Sequence, residues 1–525
     1  MKAETTARLI VIGAGPNALA AAWRLARAGL RPLVLERSRQ VGGVAATRAF
    51  HSGFRVSAPL PGTGVLVPPL QRVLERSAPG GVEWLGLPAR LVVLSEAGCV
   101  VVSSGADAGL QGNDLSPAEM ASYRHLTERL QRLQPFFLNW LTTEPPGSRV
   151  SASATLRVLW QAARLRFSGR QLLRELLQWI SMPVADWAAD WFQSERLRVA
   201  LAATGVWAAG IGPMAPGTTA RLLLQAAPGG APLPPARLPR GGLGEFTRAL
   251  ADEAQRAGAE IRLETPVEKI LVEQGQVRGV VADGREIPAR VVVSGLDPKT
   301  TFLQLTGPQY LPTEFLEQLR NYRSDGSAAR VLLALDGLPK LPALSDGVAP
   351  AALAGRVVVC DSVEQIERAS DDWKYGKLSD RPLVEFGIPT LVDPSLAPAG
   401  RHVLAAWVQY VPTHRPELKQ AILGKVLEQL ETYLPGLRDR VLGWEVLTPS
   451  DIEQEWGLSG GHLLQGELTL DQIWFQRPFY GWAGYATPIA GLFLCGSATH
   501  PGLGGMGASG LNAARAVLRH RSARA

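Results

Sequence analysis

Leu9-Ile-Val-Ile-Gly13-Ala-Gly15-Pro-Asn-Ala18, followed downstream by Leu33-Val-Leu-Glu36, is the stretch that decides the fold of this 525-residue chain. The apolar run Leu9–Ile12 reads as a buried parallel strand, and the glycine turn follows it at once. An Ala-rich helix then runs to Gly29, a natural C-terminal stop. The second apolar run ends on an acid about 20 residues after the turn, which is the dinucleotide fingerprint in its full context of strand, turn, helix, strand and acid. Gly13 permits the tight turn, Gly15 lets backbone approach a pyrophosphate, and Ala18 allows close helix–strand packing. The helix N-terminus offers free N–H groups and partial positive charge to the phosphates. Glu36 is placed to accept hydrogen bonds from ribose hydroxyls, and its charge disfavours a 2′-phosphate. An ADP-containing cofactor follows.

The same glycine spacing recurs at Gly502-x-Gly504-x-x-Gly507 and at Gly505-x-Gly507-x-x-Gly510. Neither can be a second fingerprint, because too little sequence follows for another strand and acid. Those glycines need a different explanation.

Working outward, the bulk composition describes an ordinary globular protein of two to three domains' worth of core, 46% hydrophobic and 19% charged. No run approaches the ~18 apolar residues of a membrane span. Cys99, Cys360 and Cys495 stand alone, so neither a disulfide redox pair nor a zinc site is encoded, no metal is expected, and a reducing, cytoplasmic compartment fits. The net charge of +7 lacks any nucleic-acid motif beside it. A generic solvated surface and attraction to an anionic membrane face both remain open.

Beyond the fingerprint, Phe246, Leu250 and Ala254 mark one face of a helix that stops at Gly258. Three β-rich runs follow, Val267–Val272, Val277–Val281 and Arg290–Ser294, with Gln274-Gly275 and Asp283-Gly284 as turns, predicting a small meander. The chain closes with a strand at Leu492–Cys495, a loop, and a helix from about Met506 to Arg519. Residues 145–174 carry six arginines and no acid, with Leu156, Leu159, Trp160, Ala163 and Phe167 at helical spacing. A basic amphipathic helix of this kind can lie in a membrane interface, or it can pack as a lid; segment 150–185 is expected to do one or the other.

Several of these motifs together resemble one family. Val11-Ile-Gly-Ala-Gly-Pro-Asn-Ala-Leu, Glu36-Arg37 with Gly42-Gly43, Trp191-Phe-Gln-Ser-Glu-Arg, Pro239-Arg-Gly-Gly-Leu-Gly, Gly460-Gly-His-Leu-Leu-Gln-Gly-Glu-Leu, Gln476-Arg-Pro and Leu494-Cys-Gly-Ser-Ala-Thr-His-Pro-Gly are similar to the FAD-dependent phytoene desaturase superfamily over nearly the whole length. The resemblance implies an α/β fold: a Rossmann-like FAD-binding domain of glutathione-reductase type (1–75, 235–305, 480–525) with a discontinuous α+β substrate domain (76–234, 306–479). It also implies FAD contacts at Gly13, Gly15, Pro16, Asn17, Ala18, Glu36, Arg37, Gly42, Gly43, Val267, Gly496, Ser497, Gly505, Met506 and Gly507. Val267 would hold adenine through its backbone. Gly496-Ser497 would touch the pyrophosphate and ribityl chain, with a neutral hydroxyl where many relatives carry an acid. Gly504 to Gly507 would turn N–H groups toward the flavin's pyrimidine edge.

With no second nucleotide unit, either electrons leave to oxygen, a quinone or another diffusing acceptor, or the flavin works without net turnover of NAD(P)H. Three functions are open. The first is an FAD-dependent desaturase or ketolase-type dehydrogenase taking hydride from a hydrophobic, isoprenoid or carotenoid-like substrate. The second is an amine or other small-molecule oxidase, hinted at by Tyr480 and Trp482 as an aromatic pair before the flavin. The third is a non-catalytic carrier of prenyl or lipid ligands. Candidate polar groups near the reacting atoms are His500, Arg477 and His462; each could equally tie loops together. Cys495, closing an apolar strand, reads as core.

Overall fold

The computed structural model describes residues 9–57, 65–76, 81–86, 90–103, 109–112, 115–145, 163, 170–233, 237–502 and 505–522. The opening fingerprint folds as expected. Leu9–Ile12 and Leu33–Leu35 are parallel neighbours joined by the helix Pro16–Arg27. They sit in a five-stranded parallel sheet ordered Glu260–Arg262, Leu33–Leu35, Leu9–Ile12, Val291–Ser294, Leu492–Leu494. Its inner strands are buried on both faces, which is why they read as unbroken apolar runs instead of alternating ones. Sequence from three distant regions therefore builds one nucleotide-binding sheet.

Three of the runs read as a meander divide differently. Val267–Glu273 and Gln276–Ala282 do form a hairpin, closed by Gln274 (φ 49°) and Gly275 (φ 71°) in the left-handed geometry of a tight turn. The third meander strand is Arg285–Pro288, and Val291–Ser294 leaves it to pair with Leu9–Ile12. The meander pairing runs one residue past Pro288, through the Ala289 N–H to the Arg278 carbonyl (2.9 Å). The four wholly buried residues after it suit the two-sided environment of the parallel sheet.

The second half of the molecule is an eight-stranded sheet. Its order is Val441–Leu447, Ala328–Leu335, His402–Gln409, Val384–Gly387, Arg356–Val359, Arg90–Ser95, Gly98–Ser103, Gly109–Gln111, antiparallel except between Arg356–Val359 and Arg90–Ser95. Period-two alternation splits its central strands between two apolar layers. Ala329, Val331, Leu333, Leu404, Ala406 and Val408 face a helix, Lys419–Tyr433. Ala328, Leu332, Ala334, Val403, Ala405 and Trp407 face the other way, against Phe54 and Val56 of the hairpin that follows the nucleotide fingerprint. This second layer is where the two halves meet.

The last helix, Ala508–Ser522, lies along the first. Their contact explains the second set of regularly spaced glycines. Gly507 takes a φ of +82° at the turn into the helix, while Gly510 lets the helix backbones touch. A long helix, Pro117–Thr142, covers this pair through Trp140 and Leu141. The amphipathic stretch holding Leu156, Leu159, Trp160 and Phe167 lies outside the described residues. Among those described, Arg170–Ser181 is helical, burying Leu172, Leu176 and Trp179. No described helix is long and apolar enough to cross a membrane.

Candidate functional site

A cavity of about 440 Å³ opens at the carboxyl ends of the parallel strands, where ligands of open α/β sheets bind. Gly13, Gly15, Pro16, Asn17, Ala18, Glu36, Arg37, Gly43, Val267 and Ser497 all line it. Gly13 needs its φ of +86° to turn the chain back from the strand, and a side chain at Gly15 would point into open space. Behind it the first helix starts with no side-chain cap, so its leading N–H groups are left for a ligand. These features fit the pyrophosphate of FAD, and the lining residues could hold the group along the cavity. Glu36 is buried at 7% exposure. Its carboxylate accepts from the N–H of Ala14 (2.6 Å) and of Ser38 (2.9 Å), which fixes the acid at the strand end on the cavity wall.

Asn17 joins the two ends of the chain. Its Nδ2 donates to Ser497 Oγ (3.2 Å), and its Oδ1 accepts from the N–H of Gly507 (3.0 Å). The Gly507 N–H is therefore spent within the protein, a correction to the expectation that it faces the flavin. Gly505 and Met506 form a short strand beside Val65–Leu66; Gly504 lies outside the described residues. Gly42 and Gly496 stand one step behind the cavity wall. Gly42 donates to the Ala14 carbonyl, and Gly496 packs on the carbonyl of Gly295 and the side chain of Gln465.

The three polar candidates are spread through the interior, and none is among the residues lining the cavity. His500 is fully buried, its ring edge-on to Trp140 at 4.2 Å and its Nε2 bonded to the Trp140 carbonyl at 2.9 Å. Burial pushes the imidazole down to about 4, so it stays neutral and pins the last loop to the covering helix. Arg477 gives its guanidinium wholly to backbone carbonyls: Ser497 (2.7 Å), Glu467 (2.7 Å), Leu464 (2.9 Å), Gln472 (3.2 Å) and Gly466 (3.3 Å). It clamps the 464–472 loop onto the Ser497 turn. His462 accepts from the Leu464 N–H at Nδ1 (3.2 Å), so Nε2 carries the proton and donates to Glu467 Oε1 (2.8 Å). Burial alone would raise the Glu467 carboxyl. The His462 hydrogen bond and the charge of Arg221 overcome this and bring it to about 2. All three candidates thus serve as ties.

The aromatic hint does not survive either. Tyr480 is 70% exposed, and Trp482 packs edge-on against Phe315, away from the junction layer. Cys495 lies in the core, where burial lifts its thiol to about 12. The aromatic pair at the junction is Trp207 with Trp407, stacked at 5.5 Å and 23°.

Sequence reasoning missed the far wall of the cavity, formed by Leu296, Thr300, Leu458, Ser459, Leu463 and Gln465. Buried Asp297 holds that wall together, accepting from Thr300 N (3.0 Å) and Oγ1 (2.7 Å) and from Ser459 Oγ (2.7 Å). The Asp297-Pro298 pair was its one local signal, a turn former after an apolar run. The partner 162 residues away had none.

Comparison with known proteins agrees with this geometry. Residues 234–518 match the family described as flavin containing amine oxidoreductase, and residues 11–74 the NAD(P)-binding Rossmann-like domain. The chain is 32% identical to pyridine nucleotide-disulfide oxidoreductase domain-containing protein 2 of Rattus norvegicus, across 97% of this chain and 93% of that one. It is 27% identical to a neurosporene-forming phytoene desaturase of Cereibacter sphaeroides, across 51% of each chain. The structure of cyclohexylamine oxidase from Brevibacterium oxydans IH-35A shares the fold, with a TM-score of 0.60 at 16% identity over 99% of this chain and 100% of that one. The chain belongs to the flavin containing amine oxidoreductase family, in its phytoene desaturase-like branch, and is an FAD-dependent oxidoreductase.

Proposed function

We propose that this protein dehydrogenates a hydrophobic, isoprenoid-like substrate drawn from a lipid surface, and passes the electrons to an external acceptor such as oxygen or a quinone. When bound, FAD supplies the hydride acceptor. The observation that carries the reading is the apolar layer at the junction. Leu332, Ala334, Val403, Ala405 and Trp407 of the broad sheet share one cluster with Phe54 and Val56, and with Val44, Leu458 and Leu463 of the cofactor cavity. Such a wall excludes water and aligns a C–H bond by shape, which is the main demand of hydride removal from an unactivated chain. The named activity of the phytoene desaturase relative supports the same substrate class.

The amine oxidase reading loses Tyr480 and Trp482 as its aromatic pair, and the carrier reading leaves the uncapped helix and the buried Glu36 without a purpose. The test is anaerobic incubation of the flavin-loaded protein with isoprenoid polyenes and, separately, with alkyl amines, following loss of the visible flavin band and product mass. Bleaching by the polyene with a product two mass units lighter is the expected result. Bleaching by amines alone would refute the reading.

A further inference from the structure

Arg330 stands out in the apolar junction layer. It lies in the strand Ala328–Leu335 on the same face as Ala328, Leu332 and Ala334, so strand alternation points it toward the flavin-binding half. It is 4% exposed. Its guanidinium carbon lies 5.8 Å from the centre of the Trp407 ring, and the two residues are direct cross-strand partners. That contact holds the cation through the face of an aromatic ring and uses none of its N–H donors. Nε is fully buried and donates to nothing among the described residues.

The carboxylate whose charge reaches it is not free to answer it. Glu385 is the next residue along the same cross-strand row, opposite Trp407, and acts on Arg330 only through space. Both Glu385 oxygens are already taken by Arg356, at 2.8 and 2.7 Å. Glu385 thus stands between two cations, hydrogen-bonded to Arg356 and acting on Arg330 only through space. Burial at this site pulls the Arg330 guanidinium down to about 10, a sign of how poorly the charge is compensated. Burying an ion costs several kcal/mol unless a counter-charge and hydrogen bonds meet it. Desolvated charged groups of this kind cluster at functional sites.

We infer that Arg330, braced by Trp407, anchors a carboxylate on the substrate, so that the molecule oxidised is an apolar chain with an acidic end instead of a pure hydrocarbon. This deepens the reading of the previous subsection and rests on it. The carboxylate accepts hydrogen bonds from the guanidinium, and the apolar tail extends past Trp407 and Ala405 toward the cavity wall at Val44 and Leu463. Anchoring one end fixes which C–H bond meets the flavin, giving regiochemistry that a uniformly greasy slot cannot supply.

The experiment compares farnesoic acid, its methyl ester and the parent hydrocarbon as ligands of the flavin-loaded protein, followed by tryptophan fluorescence and by perturbation of the flavin spectrum. The acid should bind about 30-fold more tightly than the ester, the range of a charge-assisted hydrogen bond set against a neutral one. R330M should erase that preference and leave ester binding intact. It should also raise the melting temperature of the ligand-free protein, because it removes an unpaired buried charge; a structural arginine would show the opposite sign. Equal binding of acid and ester by the unaltered protein overturns the anchor while leaving the apolar substrate reading in place. Failure of all three probes to bind overturns both. The acid-over-ester ratio of the unaltered protein decides the matter even if R330M does not fold.

Discussion

Gly510→Ala tests whether the two ends of this chain meet tightly enough to govern FAD binding. In an ordinary helix interior the change would stabilise by about 1 kcal/mol. Here a methyl at 510 would run into the carbonyl oxygen of Asn17, and would stand 2.8 Å from its carbonyl carbon and 3.0 Å from the nitrogen of Ala21. Restoring contacts of ~3.5–4 Å requires the first and last helices to part by about 2 Å. Overpacking of this kind costs roughly 1–3 kcal/mol. The same movement stretches the two Asn17 hydrogen bonds, to Ser497 at 3.2 Å and Gly507 at 3.0 Å, each worth about 1 kcal/mol. Set against the gain in helix propensity, the net loss is about 2–4 kcal/mol. Asn17 and Ser497 both line the cavity, so FAD feels part of that loss. A share of 2 kcal/mol is about a 30-fold weakening. Stripped protein titrated with FAD, followed by quenching of flavin fluorescence, measures it directly, with the melting temperature as companion. Unchanged FAD affinity together with a raised melting temperature would refute the close packing of these helices.

Two further outcomes follow from named contacts. Glu36→Leu leaves the N–H groups of Ala14 and Ser38 without their acceptor, at roughly 1–3 kcal/mol each. FAD titration should show more than a tenfold loss, partly restored in Glu36→Gln; equal affinity in all three proteins would remove Glu36 from the site. His500 gives the pH dependence. Its pKa is depressed from 6.5 to about 4, so between those values the unfolded chain binds a proton that the native state refuses. Stability should therefore fall by up to about 3 kcal/mol as pH drops from 6.5 through 4. His500→Gln should flatten that limb in urea melts, and an unchanged slope would show that His500 is not buried as a neutral ring.

Legibility varied with the range of the signal. The fingerprint could be read because strand, glycine turn, helix and acid are local and contiguous, and each constrains the next. Phe246, Leu250 and Ala254 were legible for the same reason, as one stripe of one helix. Arg290–Ser294 was assigned to the wrong sheet because its neighbours in sequence are a hairpin, while its pairing partner lies about 280 residues earlier. Arg477 and His462 looked like chemistry because polar residues in family-like motifs do, yet each is wholly occupied with backbone or with Glu467. Arg330 carried no signal in sequence: a lone arginine in a strand of alanine, valine and leucine shows neither its burial nor its lack of an anion.

What the amino-acid order determined by itself was the nucleotide unit, since strand, glycine turn, helix and acid rest on local backbone geometry and on residue types set close together in the chain. Tertiary structure alone decided which glycines line the cavity and which face another helix, where Val291–Ser294 pairs, and which buried polar groups remain unanswered. The physical reason is that hydrogen-bond satisfaction and counter-charge are properties of neighbours in space. In this fold those neighbours come from opposite ends of the chain.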